Sequence, residues 1–412
     1  MLRLAVRMLT GEPARWLGVV LGVFFCTFLI THLLSMFSGM MKRSYALVSD
    51  IPEADIWVMD PAVEYVDEPA GLPPTTVERV RGVSGVAWSV PLYTGSLRAR
   101  LPGGTFRPVL IIGVDDATLV GVPRNIVEGD LAALRRSDAA IIDEASANSL
   151  LRIPIDIPER KPGDPVTIAS GPTRPLALGD ELLVNDHRLI IAGIAKLTPR
   201  FLARPVLYTT YSRSVDVSPR QRNLLSFVLA KAAPAPGTAQ GAPVPWASAE
   251  ANAKKVAREI TRQTGLRART SREFADDTYW YYVRTTGVVA RIGMMVGIGV
   301  LVGVSVSSLL LYLFTVDNAR FYATFKALGA SNGMIAMMVG VQALVCGFAG
   351  YGLGIGVSAT VGNFITTDAM PYSLEAWTLL ATGVAVLLVC VVSGVLSIGR
   401  VFRLDPAQVF NK

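Results

Sequence analysis

Four stretches of this 412-residue chain contain no Asp, Glu, Lys or Arg: between Arg15 and Lys42, Arg291 and Asp317, Lys326 and Asp368, and Glu375 and Arg400. About 20 apolar residues carry a helix across a bilayer core. A helix suits that core because it satisfies its own backbone polar groups where no water can. Each stretch is long enough for one crossing, and the third is too short for two helices and a turn. Transmembrane helices are therefore predicted over 16–38, 287–314, 333–361 and 377–399. Composition agrees, since 17% of residues are charged against about 25% in a typical soluble domain.

Basic residues set the orientation, because cytoplasmic loops carry the excess of Lys and Arg. Arg3, Arg7 and Arg15 precede the first span, Arg320 and Lys326 separate the second from the third, and Arg400, Arg403 and Lys412 follow the fourth. The loop 362–376 holds Asp368 and Glu375 and no basic residue. Segment 1–15, loop 315–332 and tail 400–412 are thus expected in the cytoplasm, with 39–286 and 362–376 outside. The first apolar stretch exceeds the 7–15 residue core of a signal peptide, and no A-x-A site follows it before Lys42, so it reads as an uncleaved anchor.

The external region mixes α and β patterns. The segments 54–59, 86–93, 107–115 and 224–230 read as strands, and 75–83 as a short helix that Thr75 or Thr76 could cap. A Pro/Ala/Gly-rich stretch over 231–247 reads as a loop, followed by a helix at 247–264 and a strand at Leu266–Thr270. In "LGDELLVNDHRLIIAGIAK" (178–196), apolar alternation flanks Asn185-Asp186, a hairpin signal. These segments imply two lobes: a membrane-proximal α/β lobe from 45–118 and 222–286, and a β-rich insert over 119–221. The fold class is a four-helix membrane protein with a large mixed α/β domain inserted between helices 1 and 2.

Several chemistries lack their residues. No G-x-x-x-x-G-K-[ST] occurs, and without the phosphate-binding lysine this chain does not hydrolyse a nucleotide by the P-loop route. His32 and His187, the only histidines, are isolated, and no metal-ligand spacing or nucleophile–histidine pairing forms; no metal, cofactor or catalytic residue is expected. Asp115-Asp116 and Asp276-Asp277 are adjacent pairs whose side chains diverge, so they read as solvated turn or cap residues. Cys26, Cys346 and Cys390 all lie in predicted spans, leaving the external region without disulfides. A net charge of +7 without a dense basic cluster argues against nucleic acid as a partner. The spans hold no chain of ionisable groups such as ion-driven transporters use, so the energy for any transport comes from another subunit.

Small residues recur at helix-packing spacing: Gly293 with Gly297, Gly299 with Gly303, Gly350 with Gly354, and Gly352 with Gly356. G-x-x-x-G pairs let membrane helices approach closely. Between the second and third spans stands "ARFYATFKALGAS" (319–331). Asp317–Leu328 suits a short helix presenting Phe321, Tyr322 and Phe325 beside Arg320 and Lys326. Gly329 would stop it, and Ser331 or Asn332 would cap the next helix. Such a helix could dock a partner or lie flat against membrane lipid, and the residues alone leave both open.

The same stretch, R-x-Y-A-T-x-K-A-L-G-A-S, resembles the cytoplasmic signature of MacB/FtsX-type ABC transporter permeases (type VII exporters). Three further segments agree: G-D-E-L-L-V-N-D-H-R-L-I-I-A-G-I (179–194), R-L-D-P-A-Q-V-F (403–410) and T-S-R-E-F-A-D-D-T-Y-W-Y-Y (270–282). The last is similar to a segment of the DevC-like subgroup. The resemblance implies a bacterial inner-membrane permease, homodimeric or pseudo-dimeric, with 39–286 periplasmic and with a separate ABC ATPase docked on the loop. ATP-driven helix movement would pass to the periplasmic domain by mechanotransmission, with a periplasmic adaptor (membrane fusion protein) and a TolC-like outer-membrane channel as further partners. Arg320, Phe321, Tyr322, Thr324, Phe325, Lys326 and Gly329 would form the coupling element. Phe321 departs from the family, which usually has Glu there. The same architecture serves FtsX-like regulators of cell-wall enzymes and LolCDE-like lipoprotein extraction, which stand as alternatives.

Overall fold

The computed structural model describes residues 13–155, 171–202, 204–219, 224–234, 245–365 and 371–401. The expected N-terminal basic residues Arg3 and Arg7, most of the Pro/Ala/Gly-rich loop, Asp368 and the tail motif 403–410 lie outside these. The chain forms two compact units, Lys42–Tyr282 and Met1–Met41 with Val283–Lys412. In chain order the elements begin with α1 (Pro13–Ser44), α2 (Ala46–Ser49), β1 (Ile56–Met59), α3 (Thr76–Arg81), β2 (Val86–Arg100) and β3 (Phe106–Val114). Next come β4 (Ile126–Gly129), a 3₁₀ turn (Leu131–Arg135), β5 (Ala139–Asp143), α4 (Glu144–Asn148), β6 (Ile153–Pro154) and β7 (Thr173–Arg174). They continue with β8 (Glu181–Val184), β9 (His187–Ala195), β10 (Val206–Thr210), α5 (Tyr211–Val217), β11 (Phe227–Ala232) and α6 (Trp246–Thr264). The last are β12 (Arg267–Thr270), α7 (Ser271–Thr285), α8 (Val288–Asp317), α9 (Ala319–Ala327), α10 (Asn332–Ile365) and α11 (Ala376–Val401).

The α/β unit, Lys42–Tyr282, is built on one continuous sheet path, β12-β1-β11-β2-β3-β10-β5-β9-β4, with β8 pairing β2 and β9. Two strand–helix–strand units, β1-α3-β2 and β11-α6-β12, interleave to make its first section. Both faces of β1 are covered: Ile56 and Val58 pack with Val80, Val256 and Ile260 under α3 and α6, while Trp57 and Met59 enter the opposite core with Phe227 and Phe274. That two-sided burial explains the unbroken apolar run I-W-V-M, where a half-exposed strand would alternate. Trp57 stacks edge-on against Phe227, with ring centroids 5.3 Å apart.

β2 joins the two sections. Its residues 86–92 pair antiparallel with β11, and Tyr93–Arg100 pairs antiparallel with β3. The second section therefore begins inside β2, and β3, which the sequence reading put in the first lobe, runs parallel with β10 in the second. The reason is length: a 15-residue strand can serve two sheets in succession. The β8–β9 hairpin forms as expected, with Asn185 at φ 48° and Asp186 at φ 65° in a two-residue turn. The expected Thr cap on α3 does not form. Thr75 is already helical at φ −61°, ψ −15°, because Pro73 starts the turn and its carbonyl accepts from Thr76 N–H at 2.9 Å.

The other unit holds four helices long and apolar enough to cross a membrane, Trp16–Ser44, Val288–Asp317, Asn332–Ile365 and Ala376–Ser397. A 30-residue helix such as α8 runs about 45 Å, beyond the ~30 Å hydrocarbon core, so helical structure outlasts the apolar stretch that nucleates it. Hydroxyl pairs tie α11 to α8: Ser308 Oγ donates to Ser393 Oγ at 3.0 Å, and Thr315 and Ser397 hydroxyls meet at 2.8 Å. His32 is a packed ring between Phe28 and Tyr372, with centroids 5.5 and 5.6 Å away.

Candidate functional site

The stretch between α8 and α10 folds as the nine-residue helix α9, and backbone chemistry explains both ends. Asn318, 3% exposed, separates α8 from α9. Its Nδ2 donates to the Phe314 carbonyl at 2.9 Å, a second bond to the acceptor that its own backbone N–H already meets at 3.1 Å, so side chain and backbone together close the end of α8. At the other end Gly329 stands at φ +94°. Its N–H donates to Lys326 O at 3.1 Å, and Ala330 N–H donates to Phe325 O at 2.9 Å. The two bonds make a Schellman stop, which favours glycine because a Cβ is strained at positive φ. Ser331 Oγ then accepts from Met334 N–H at 3.3 Å and caps α10.

Helical periodicity divides α9 into two faces. Tyr322 is 1% exposed and packs with Ile335 and Val339 of α10. Its hydroxyl donates to Gln342 Oε1 at 3.0 Å, and burial pushes its phenol up to about 12, so it remains a neutral donor. Phe321, in contrast, is 56% exposed and Leu328 is 79% exposed. Arg320 and Thr324 share the open side, while Phe325 and Lys326 are half-buried. The Thr324 hydroxyl donates back to the Arg320 carbonyl at 2.9 Å, which leaves it little capacity as a donor to a partner.

Tyr322 therefore corrects the sequence reading: it anchors α9 to α10 and is not presented with Phe321. Leu328 and Gln342 are the residues that reading passed over. Leu328 is seven residues beyond Phe321 and so falls on its face, a signal that a helical projection of 319–328 carries. Gln342 is the polar residue in an otherwise apolar turn of α10, about three turns into that helix.

The glycine pairs separate by direction. A Cβ built on Gly354 would lie 2.5 Å from Thr27 Cβ and 3.0 Å from Phe28 N, and one on Gly350 would lie 2.8 Å from Val23 Cβ. On α8, Gly303 meets Cys26 Sγ at 2.3 Å and Gly299 meets Ile30 at 3.8 Å. Helix α1 thus lies against α10 on one side and α8 on another. Gly293, Gly297, Gly352 and Gly356 have nothing within 4 Å, which corrects their assignment as packing positions within the chain: they are on helix faces turned from its other helices. Gly347 against Cys390 and Gly362 against Tyr372, both at 2.5 Å, are close approaches that no G-x-x-x-G spacing marks.

In the α/β unit, the acidic pairs divide as well. Asp115 Oδ2 accepts from Thr118 N–H at 2.8 Å in a turn, as expected. Asp277 is an ion-pair acceptor instead, 2.7 Å from Arg267 and 3.2 Å from Arg269, because α7 folds back beside β12.

Among the described residues, four membrane-length helices, a large α/β domain between the first and second and a short helix between the second and third make the arrangement of a multi-pass membrane protein. Residues 16–242 match the MacB-like periplasmic core domain and residues 292–406 match the FtsX-like permease C-terminal. The first match spans more than half of the chain, and the protein belongs to the MacB/FtsX-type permease family of type VII ABC transporters, whose ATPase is a separate subunit. No curated protein matches it in sequence. Among solved structures, it is similar to the extracellular domain of the noncanonic ABC-type transporter YknZ from Gram-positive bacteria, with 15% identity, 53% of this chain and 98% of the other covered, and a TM-score of 0.32. The periplasmic region of MacB from Actinobacillus actinomycetemcomitans gives 12% identity, 58% and 97% coverage and a TM-score of 0.34.

Proposed function

We propose that the chain is the permease subunit of a bacterial ABC exporter and that α9 is the socket for its ATPase. The observation that carries this reading is the pairing of opposite faces on one short helix. Phe321 and Leu328 offer apolar surface outward, while Tyr322, through Gln342, ties the same helix rigidly to α10. A partner pressing on Phe321 would therefore move α10 and not merely tilt a loop. The missing acid at Phe321 makes the contact apolar, with Arg320 at its edge. The basic residues around 315–332 support a cytoplasmic location, with both termini on that side and residues 39–286 in the periplasm of an inner-membrane protein.

On this reading ATP hydrolysis drives the bundle, and the bundle drives the periplasmic domain by mechanotransmission. A homodimer, a periplasmic adaptor and a TolC-like channel complete the machine, in keeping with the DevC-like character of 270–282. The test is co-purification from native membranes of the full chain carrying Leu328→Asp or Lys326→Glu. Loss of a P-loop ATPase from the complex, with normal membrane insertion, is expected. Undiminished ATPase recovery with both variants would overturn the assignment of α9.

A further inference from the structure

The α/β unit carries an open-mouthed cavity of about 610 Å³ that the coupling reading leaves without a role. Its size falls within the ~300–1,000 Å³ typical of small-molecule sites. Three stretches meet there: the segment after β1 with Tyr65, Asp67 and Glu68, the middle of β2 with Thr94 and Ser96, and the approach to β10 with Leu202 and Arg204. Leu110, Leu224 and Tyr282 close the lining. Two glycines make the walls tight. A Cβ on Gly95 would stand 2.4 Å from the Tyr93 hydroxyl, and one on Gly71 would stand 2.5 Å from Leu224 Cδ1. Tyr93 is in turn held by Ser218, whose Oγ donates to its hydroxyl at 2.6 Å.

The charges in this cavity are not matched to one another. Arg200 is accounted for: its side chain is 5% exposed and Nη1 lies 3.1 Å from Asp50 Oδ2, while Nη2 donates to Tyr208 Oη at 3.1 Å. Arg204 differs. It is exposed, and its guanidinium donates only to Ser96 Oγ, at 3.3 Å, among the described residues. Asp67 Oδ2 accepts from the Tyr282 hydroxyl at 2.6 Å, and Glu68 Oε2 accepts from the Tyr65 hydroxyl at 2.7 Å. Each carboxylate retains acceptor capacity beyond that one bond. Among the described residues no ion pair joins Arg204 to either acid. Asp67 is a surface-exposed residue whose carboxyl partial desolvation raises above the ordinary aspartate range, with the Tyr282 bond and then Arg200 and Arg204 opposing the shift. The lining also exposes apolar surface, with Leu202 at 48% and Leu224 at 38%.

We propose that this cavity binds a zwitterionic amphiphile, with its anionic group on Arg204, its ammonium on Asp67 and Glu68, and its apolar body along Leu110, Leu202 and Leu224. A purely anionic head would face the two acids, and a purely cationic head would face Arg204. Only a head with both signs answers all three groups and removes them from water with their hydrogen bonds made. A lysophospholipid bearing phosphoethanolamine and a free apolar peptide both carry this chemistry. The inference deepens the export reading by naming a class of cargo, and rests on that reading only in calling the ligand cargo.

The test uses the full-length protein in amphipol with no ATPase present, so that a failure to bind leaves the α9 assignment untouched. Isothermal titration compares lysophosphatidylethanolamine and trileucine with anionic lysophosphatidylglycerol and cationic dodecyltrimethylammonium, all below micellar concentration. At least one zwitterionic probe is expected to bind about tenfold or more tightly than either singly charged probe. Arg204→Gln and Asp67→Asn should each weaken it by about tenfold. Leu224→Trp, which fills the apolar end, should weaken it without touching a charge. The zwitterionic probe that binds identifies the source as lipid headgroup or peptide. Equal affinity for singly charged probes, no binding of either zwitterion, or unchanged affinity in both charge variants of normally folded protein would overturn the proposal.

Discussion

Replacing Gly354 by alanine should damage the membrane bundle, whereas the same change two residues along the same glycine run should not. A Cβ at 354 would sit 2.5 Å from Thr27 Cβ, 2.6 Å from Thr27 Cγ2 and 3.0 Å from Phe28 N, against the 3.4–4 Å of ordinary contact. The Thr27 hydroxyl already donates to Val23 O at 2.8 Å, and a backbone nitrogen cannot rotate away. Helices α1 and α10 must therefore part by roughly 1 Å, losing dispersion contacts along the seam. Overpacking of this kind costs about 1–3 kcal/mol. Alanine returns up to ~1 kcal/mol of helix propensity, leaving a net loss of up to about 2 kcal/mol and a difference of about 1–3 kcal/mol from a position that gains propensity alone. Gly356, with nothing within 4 Å, receives only the propensity gain. Reversible unfolding of the full chain in bicelles, for G354A and G356A side by side, measures the difference. If the two variants are equally stable, the α1–α10 packing described above is wrong.

Tyr322→Phe removes the bond to Gln342 Oε1 and leaves a buried acceptor, a loss of about 1–2 kcal/mol; it should show as faster hydrogen exchange across 319–327, with insertion unchanged. Gly329→Ala puts a Cβ at φ +94° and should cost about 1 kcal/mol, whereas Gly329→Asn should cost less, and thermal melts separate the two. The Asp67 carboxyl is raised in the folded unit, chiefly by desolvation, so its contribution favours folding below the ordinary aspartate value near ~3.9 and is lost as pH rises through the raised one. Over that window wild-type stability should fall with increasing pH relative to Asp67→Asn; the same pH dependence in both would contradict a desolvated Asp67 carboxyl.

The features legible in the sequence are those set by local chemistry. Charge-free length specifies spans, Asn185-Asp186 specifies a hairpin, and Gly329 with Ser331 specifies a stop and a cap, each decided within a few residues. Direction was not legible. G-x-x-x-G spacing marks a small helix face but not what it meets, so Gly354 and Gly356 look alike until α1 is in place. Tyr322 was misread because exposure on a nine-residue helix depends on which side the next span occupies. The double partnership of β2 and the cavity depend on contacts between residues as far apart as Tyr65 and Tyr282. No local pattern encodes these, since they arise only when the interleaved strands close.

The account turns on Phe321 as an outward-facing contact for a separate motor. The most direct measurement places a benzophenone amino acid at position 321, and in a second variant at 322, in the full chain expressed in native membranes. After irradiation, crosslinked products are identified by mass spectrometry. A crosslink from 321 to a P-loop ABC ATPase is expected, and from 322 only to α10 of the same chain. Crosslinks from 321 confined to lipid, with no ATPase recovered, would contradict it and make α9 an interfacial helix.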